Sequence, residues 1–276
     1  MKYNLRSKSE LTQRFIAALF GAIVITGSIA WNEWAYFGII FIICGFCLHE
    51  FYSLLGLHGN LPLKTYGTLN GLFLFTLTFL IEKEIWPHQY YLFIFLSLSA
   101  VYLIKLYIVR DKNPFENIAY TFLGILYVAV PFALLNMAVF LDGEYHYEVI
   151  IGSLFILWAS DTGAYFSGRF FGRRKLFERV SPKKTWEGSI GGGLFALCMG
   201  FGFSQYFHSL NLLQWLCIST IIVVAGTYGD LVESLFKRSI QIKDSGHSIP
   251  GHGGFLDRFD GLFIASPFIV AFIRLF

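Results

Sequence analysis

Asp230, Glu233 and Lys237 stand at i, i+3 and i+7, so on a helix they share one face. Asp257 and Asp260 repeat the i, i+3 spacing with Arg258 between them, just after a Pro-Gly-His-Gly-Gly turn that contains His252. From Gly229 to Asp260 the chain gathers five acids, four strong bases (Lys237, Arg238, Lys243, Arg258) and two histidines, although only 14% of all residues are charged. Two acidic pairs at neighbouring helix ends make a donor set for a hard divalent cation such as Mg2+, which takes oxygen ligands and leaves places for substrate phosphates. The glycines let backbone N–H groups approach an anion. If these charges only capped helices, several would be buried without compensation.

A second polar stretch, Gly168 to Gly188, carries seven basic residues against Glu178 and Glu187. Arg173, Arg174 and Lys175 have the character of juxtamembrane bases that hold anionic lipid. Ser181, Lys183, Lys184 and Thr185 differ, because a Ser-Pro turn sets two ammonium groups and two hydroxyls ahead of a helix N-terminus, where phosphate binds well. Asp161 interrupts an apolar run; a carboxylate at mid-bilayer costs about 2.5–3.5 kcal/mol, so it is expected to face a protein-lined cavity. For His49 and Glu50, near the end of another apolar run, hydration accounts for the residues as well as function does.

These side chains need a scaffold, and composition says what it is. Of the 276 residues, 55% are hydrophobic and 19% aromatic, whereas a water-soluble domain carries about 25% charged residues. An ordinary soluble protein and a disordered chain are both excluded. About 20 apolar residues cross a bilayer as a helix, and nine runs fit that ruler: Phe15 to Trp31, Trp34 to Leu55, Tyr66 to Ile81, Tyr90 to Val109, Ile118 to Leu141, Val149 to Gly168, Ser189 to Phe207, Leu212 to Gly229 and Gly261 to Phe276. The expected fold is all-α, a single polytopic membrane domain over residues 1–276 with about nine transmembrane helices. Basic linkers alternate with linkers that lack Arg, which puts the N-terminus and the polar stretches in the cytoplasm. Arg274 is the one dissonant charge and can snorkel. The basic N-terminus precedes an apolar run without an A-x-A-like cleavage site, so the first run is read as a retained helix. Cys44 and Cys47 form a CxxC inside apolar sequence with no thiolate-stabilising cation, so packing is the better account than zinc or redox chemistry. Gly188 and Gly192 have the spacing of close helix packing. Residues 1–157 are mostly apolar helix, and the chemistry lies in 158–276.

The segment SLFKRSIQIKDSGHSIPGHGGFLDRFD resembles the signature of the phosphatidate cytidylyltransferases, and SDTGAYFSGRFFG and SPKKTWEGSIGG match two further stretches of that family in the same order. The resemblance covers residues 158–261. It implies transfer of CMP from CTP to phosphatidic acid, with Mg2+, at the cytoplasmic face of the inner membrane, giving CDP-diacylglycerol and pyrophosphate. It further implies that Asp230 and Asp257 hold the metal. Lys237, Arg238, Lys243, Asp244, Arg258 and Asp260 match other signature positions with triphosphate or lipid-phosphate roles, as Ser181, Lys183 and Lys184 match the SPKK element. His252 is read as a turn or phosphate contact. A second cation is left open, a homodimer is implied, and no nucleic-acid partner is expected. Two rival readings are a CTP-dependent polyprenol or dolichol kinase and an ion-coupled transporter.

Overall fold

The computed structural model describes the backbone of residues 2–57, 59–141, 143–242, 245–246 and 253–276, with side chains for Ile16 and from residue 18 onward in those segments. Ten helices follow one another: α1 (Lys2–Trp31), α2 (Glu33–Gly56), α3 (Lys64–Glu82), α4 (Leu92–Leu106, entered through a 3-10 turn His88–Tyr91), α5 (Pro114–Gly124), α6 (Val130–Val139), α7 (Tyr147–Phe171), α8 (Trp186–Tyr206), α9 (Leu212–Ser239) and α10 (Leu256–Leu275). Two short antiparallel hairpins are the only strands among the described residues: β1 (Phe140–Leu141) with β2 (Glu144–Tyr145), and β3 (Lys175–Phe177) with β4 (Ser181–Thr185). Among the described residues five helical stretches are long and apolar enough to cross a bilayer: Glu33–Gly56, His88–Leu106, Pro114–Val139, Tyr147–Phe171 and Leu212–Ser239.

Local chemistry sets several boundaries. Asn32 accepts from the Trp34 and Ala35 N–H groups at 2.9 Å each and starts α2. Asn211 and Gln214 exchange hydrogen bonds in a capping box that starts α9. The long run from Pro114 to Val139 is one rod with a π turn at Ile125–Ala129 in its middle. Pro131 has no N–H to give the carbonyl four residues back, and the turn preceding it widens so that Val130 N–H reaches Ile125 O.

The site is positioned by α7 to α10. α8 lies against both α7 and α9, and α10 packs along α9 and α6. The α9–α10 crossing is tight: a Cβ on Gly229 would lie 2.5 Å from the Asp260 carbonyl oxygen and 2.9 Å from Gly261 Cα. That approach brings Asp230 and Asp260, the next residue on one helix and the preceding one on the other, to the same crossing. α8 meets α7 the same way, with a Cβ on Gly192 falling 2.6 Å from Ser160 O. One continuous hydrophobic core runs from Ile29 to Val270, and a small satellite of Leu77, Ile81 and Ile94 joins α4 to α3.

Candidate functional site

A cavity of about 1070 Å³ opens among α7, α8, α9, the start of α10 and strand β4. Its wall carries five basic side chains, Arg169, Lys183, Lys184, Lys237 and Arg258, and four acidic ones, Asp161, Asp230, Asp257 and Asp260. Helical geometry sorts the wall by depth. Along α7, Leu157 and Trp158 precede Asp161, Tyr165 and Arg169, and a rise of 1.5 Å per residue separates the apolar end from the charged end. Along α9, Ile222 precedes Asp230 and Lys237 in the same sense. The cavity is therefore amphipathic, apolar toward the middle of the helices and ionic at their ends.

Two of the cavity's lysines are already paired with its acids. Lys184 Nζ lies 2.6 Å from Asp230, and Lys237 Nζ lies 2.6 Å from Asp257 and 3.4 Å from Glu233. Lys184 also donates to Thr227 O at 3.4 Å, which ties the β3–β4 hairpin to α9. The hairpin is held from the other side by Glu187, whose carboxylate accepts from Arg173 N–H at 3.0 Å and Arg174 N–H at 3.2 Å. Those backbone donors hold Glu187 below its ordinary pKa. Thr185 starts α8 by accepting from Gly188 N–H at 3.2 Å.

Asp257 is the organising carboxylate. One oxygen takes Lys237, and the other accepts from Ser245 N–H at 3.0 Å and Gly254 N–H at 3.1 Å. Burial alone would raise its pKa, but these donors outweigh it and bring it down to about 2. Gly253, at φ +82°, makes the turn into this arrangement; any Cβ there would be strained and 2.6 Å from the Asp257 carboxylate. Asp230 differs, its side chain being 40% exposed against 11% for Asp257. It is the carboxylate open to the cavity. Asp161 is likewise accessible and lines the cavity.

The donor set suits a cation shared with substrate. Among the described residues no three His, Cys, Asp or Glu side chains converge into a ready-made cage. Mg2+ is commonly held by one or two carboxylates plus phosphate oxygens and water. Asp230 offers an open oxygen, and Asp257 accepts three hydrogen bonds out of roughly four that a carboxylate can take.

Of the residues singled out by sequence, Asp161, Lys183, Lys184, Asp230, Lys237, Asp257, Arg258 and Asp260 line the cavity together. Arg238 does not: it is exposed and donates to Ile242 O at 3.2 Å. One residue beyond Lys237, it is turned about 100° away from the 230/233/237 face. Ser181 sits at the far end of β4, paired with Phe177, and is not on the wall. Lys243, Asp244 and His252 lie outside the described residues. Tyr165 follows Asp161 at i+4 and so shares its helix face, and Arg169, from the basic stretch after it, also lines the cavity and donates to the Tyr165 hydroxyl at 3.1 Å. For Glu50, which spacing leaves open between hydration and function, the structure gives a partner. Glu50 is buried, and its carboxylate accepts from Leu256 N–H at 3.0 Å at the start of α10.

A family model described as the cytidylyltransferase family matches residues 12–276. The chain is 40% identical over 168 residues to the phosphatidate cytidylyltransferase of Haemophilus influenzae, an alignment covering 59% of this chain and 58% of that protein. It is 37% identical over 184 residues to the protein of the same name from Bacillus subtilis, covering 66% and 68%, and 40% identical over 178 residues to that of Staphylococcus haemolyticus, covering 63% and 66%. The aligned stretch spans less than two thirds of the Haemophilus protein.

Proposed function

This chain belongs to the cytidylyltransferase family, and we propose that it transfers CMP from CTP to phosphatidic acid, giving CDP-diacylglycerol and pyrophosphate. The observation that carries the reading is the amphipathic cavity. A lipid phosphate needs an apolar wall beside an ionic one, and a nucleoside triphosphate needs several cations; Leu157, Trp158 and Ile222 supply the first, and Arg169, Lys183, Lys184, Lys237 and Arg258 supply the second. Relatives named phosphatidate cytidylyltransferase support the same substrates.

In the reaction a phosphate oxygen of the lipid attacks the α-phosphorus of CTP, a new P–O bond forms, and the bond to the β-phosphate oxygen breaks as pyrophosphate leaves. The lipid phosphate is already ionised, so no protein nucleophile is required. Both reactants are polyanions, and the protein's task is charge neutralisation and in-line positioning. Lys184 exchanges its pairing with Asp230 for a substrate phosphate, which frees the Asp230 carboxylate. Lys237 keeps Asp257 oriented from α9. Asp230 and Asp257 would hold Mg2+ together with phosphate oxygens, and that ion would supply Lewis-acid polarisation and neutralise charge on the leaving pyrophosphate. A second cation has Asp260 and Asp161 to draw on.

The same reading counts nine crossings, α1 to α4, the α5–α6 rod and α7 to α10, with the N-terminus and cavity mouth on the cytoplasmic side of the inner membrane, because the basic hairpin and Lys237 share that end. It takes the active unit to be a homodimer. The test is purified protein in mixed micelles with CTP, Mg2+ and phosphatidic acid. Pyrophosphate and CDP-diacylglycerol in equal amounts are expected. CDP appearing with a phosphorylated prenol, and phosphatidic acid left unchanged, would overturn the reading in favour of a kinase.

A further inference from the structure

Glu50 lies on α2, in the apolar N-terminal part of the chain, yet its carboxylate is buried at the start of α10 and accepts from Leu256 N–H at 3.0 Å. Leu256 immediately precedes Asp257, and the first N–H groups of a helix have no partner within it. Two glycines close around the same carboxylate. A Cβ on Gly246 would lie 3.2 Å from Glu50 Oε1, and a Cβ on Gly254 would collide with Glu50 Oε2 and with Ser245 Oγ. Ser245 and Gly254 are the residues whose N–H groups grip Asp257 from its other side. Both ends of the 245–254 segment are therefore gathered at one carboxylate delivered from a helix about 200 residues earlier in the sequence.

We propose that Glu50 is a positioning residue for the cavity: it fixes the first turn of α10, and through it the direction of Asp257 and Arg258, without touching substrate itself. This rests on the cytidylyl-transfer reading for its catalytic consequence but not for its structural one. Without Glu50, Leu256 N–H loses its acceptor, and the first turn of α10 is released to shift Asp257, the next residue, away from the geometry set by Lys237. A displacement of about 1 Å in a positioning group costs on the order of a hundredfold in rate.

The test compares full-length wild type with Glu50→Ala and Glu50→Gln, the amide oxygen of Gln still being able to accept from Leu256 N–H. Hydrogen–deuterium exchange is read on peptides covering 253–260 and, as the control, on those from α7 and α8. Glu50→Ala should speed exchange in 253–260 by about tenfold or more while α7 and α8 stay as in wild type, and Glu50→Gln should retain most of the protection. In the micelle assay Glu50→Ala should lower kcat by about tenfold to a hundredfold with KM for phosphatidic acid nearly unchanged, and Glu50→Gln should recover most of it. Unchanged exchange in 253–260, or exchange raised equally everywhere, would overturn the proposal, as would a Gln variant as impaired as Ala. If wild type made no CDP-diacylglycerol while the exchange pattern appeared as expected, the reaction assignment would fail and the Glu50 contact would stand.

Discussion

Residues 1–157 and 158–276 both place polar groups inside an apolar bundle, but they use them in opposite ways. In the first region the buried groups are mostly neutral and bond to one another. The Tyr36 hydroxyl donates to Asn136 Oδ1 at 3.0 Å, and Asn136 donates to Phe75 O at 3.0 Å and Thr78 Oγ1 at 2.7 Å. Phe37, Phe75 and Phe79 pack around this knot. Among the described residues the one buried ion pair there, between Lys105 and Asp111, is closed off by Asn117 and the Leu61 carbonyl. In the second region ionic groups pair at the wall of a cavity, and in the Lys184–Asp230 pair both partners stay accessible, so a ligand can replace one of them. A polar group spent on its neighbour stabilises the fold, whereas one facing open volume remains available for substrate.

That contrast can be broken at the cavity first. Asp257→Asn removes a charge that Lys237 and two backbone donors converge on, and kcat/KM should fall about a thousandfold, roughly 4 kcal/mol of transition-state stabilisation, in the pyrophosphate-release assay. Activity within tenfold of wild type would mean that Asp257 is only a structural anchor. On the other side, Asn136→Ala should lower thermal stability by about 1–3 kcal/mol by orphaning buried partners, measured by unfolding in detergent, with kcat per folded molecule unchanged; a large loss of kcat would place the N-terminal knot in the functional machinery. Between these lies Gly229→Ala at the α9–α10 crossing. Its added methyl must push α10 away, and it should cost about 1–3 kcal/mol together with part of the activity, since Asp230 and Asp260 flank the contact. The smallest effect is expected for Arg238→Ala, less than about twofold in rate, because the side chain faces away from the cavity. An Arg238→Ala enzyme as weak as Lys237→Ala would show that substrate reaches around α9.

The comparison also shows which features spacing alone could reveal. Asp230, Glu233 and Lys237 fall on one helix face by arithmetic, and the same arithmetic adds Tyr165 to the face of Asp161; that Arg169 reaches the cavity while Arg238, at the same i+8 spacing from Asp230, does not was decided by packing. The Ser-Pro-Lys-Lys segment was legible as an anion site ahead of α8, but not as a hairpin whose Lys184 pairs with Asp230, because that partner lies on another helix. Nor could spacing assign Glu50, whose contact with Leu256 crosses 206 positions. The π turn before Pro131 had its cause in plain view, though a proline permits several local accommodations.

By itself the sequence determined a helical, lipid-adapted chain whose ionic chemistry is confined to its C-terminal part, because charge is costly in a bilayer and three- and four-residue spacings fix helix faces. Only the tertiary structure decided which acid meets which base and how open each remains. Those outcomes depend on how closely α9 and α10 approach at Gly229 and Gly261, on where β4 lays Lys184, and on the reach of Glu50 from α2. Each is a long-range contact, set by packing volumes that no local stretch of residues contains.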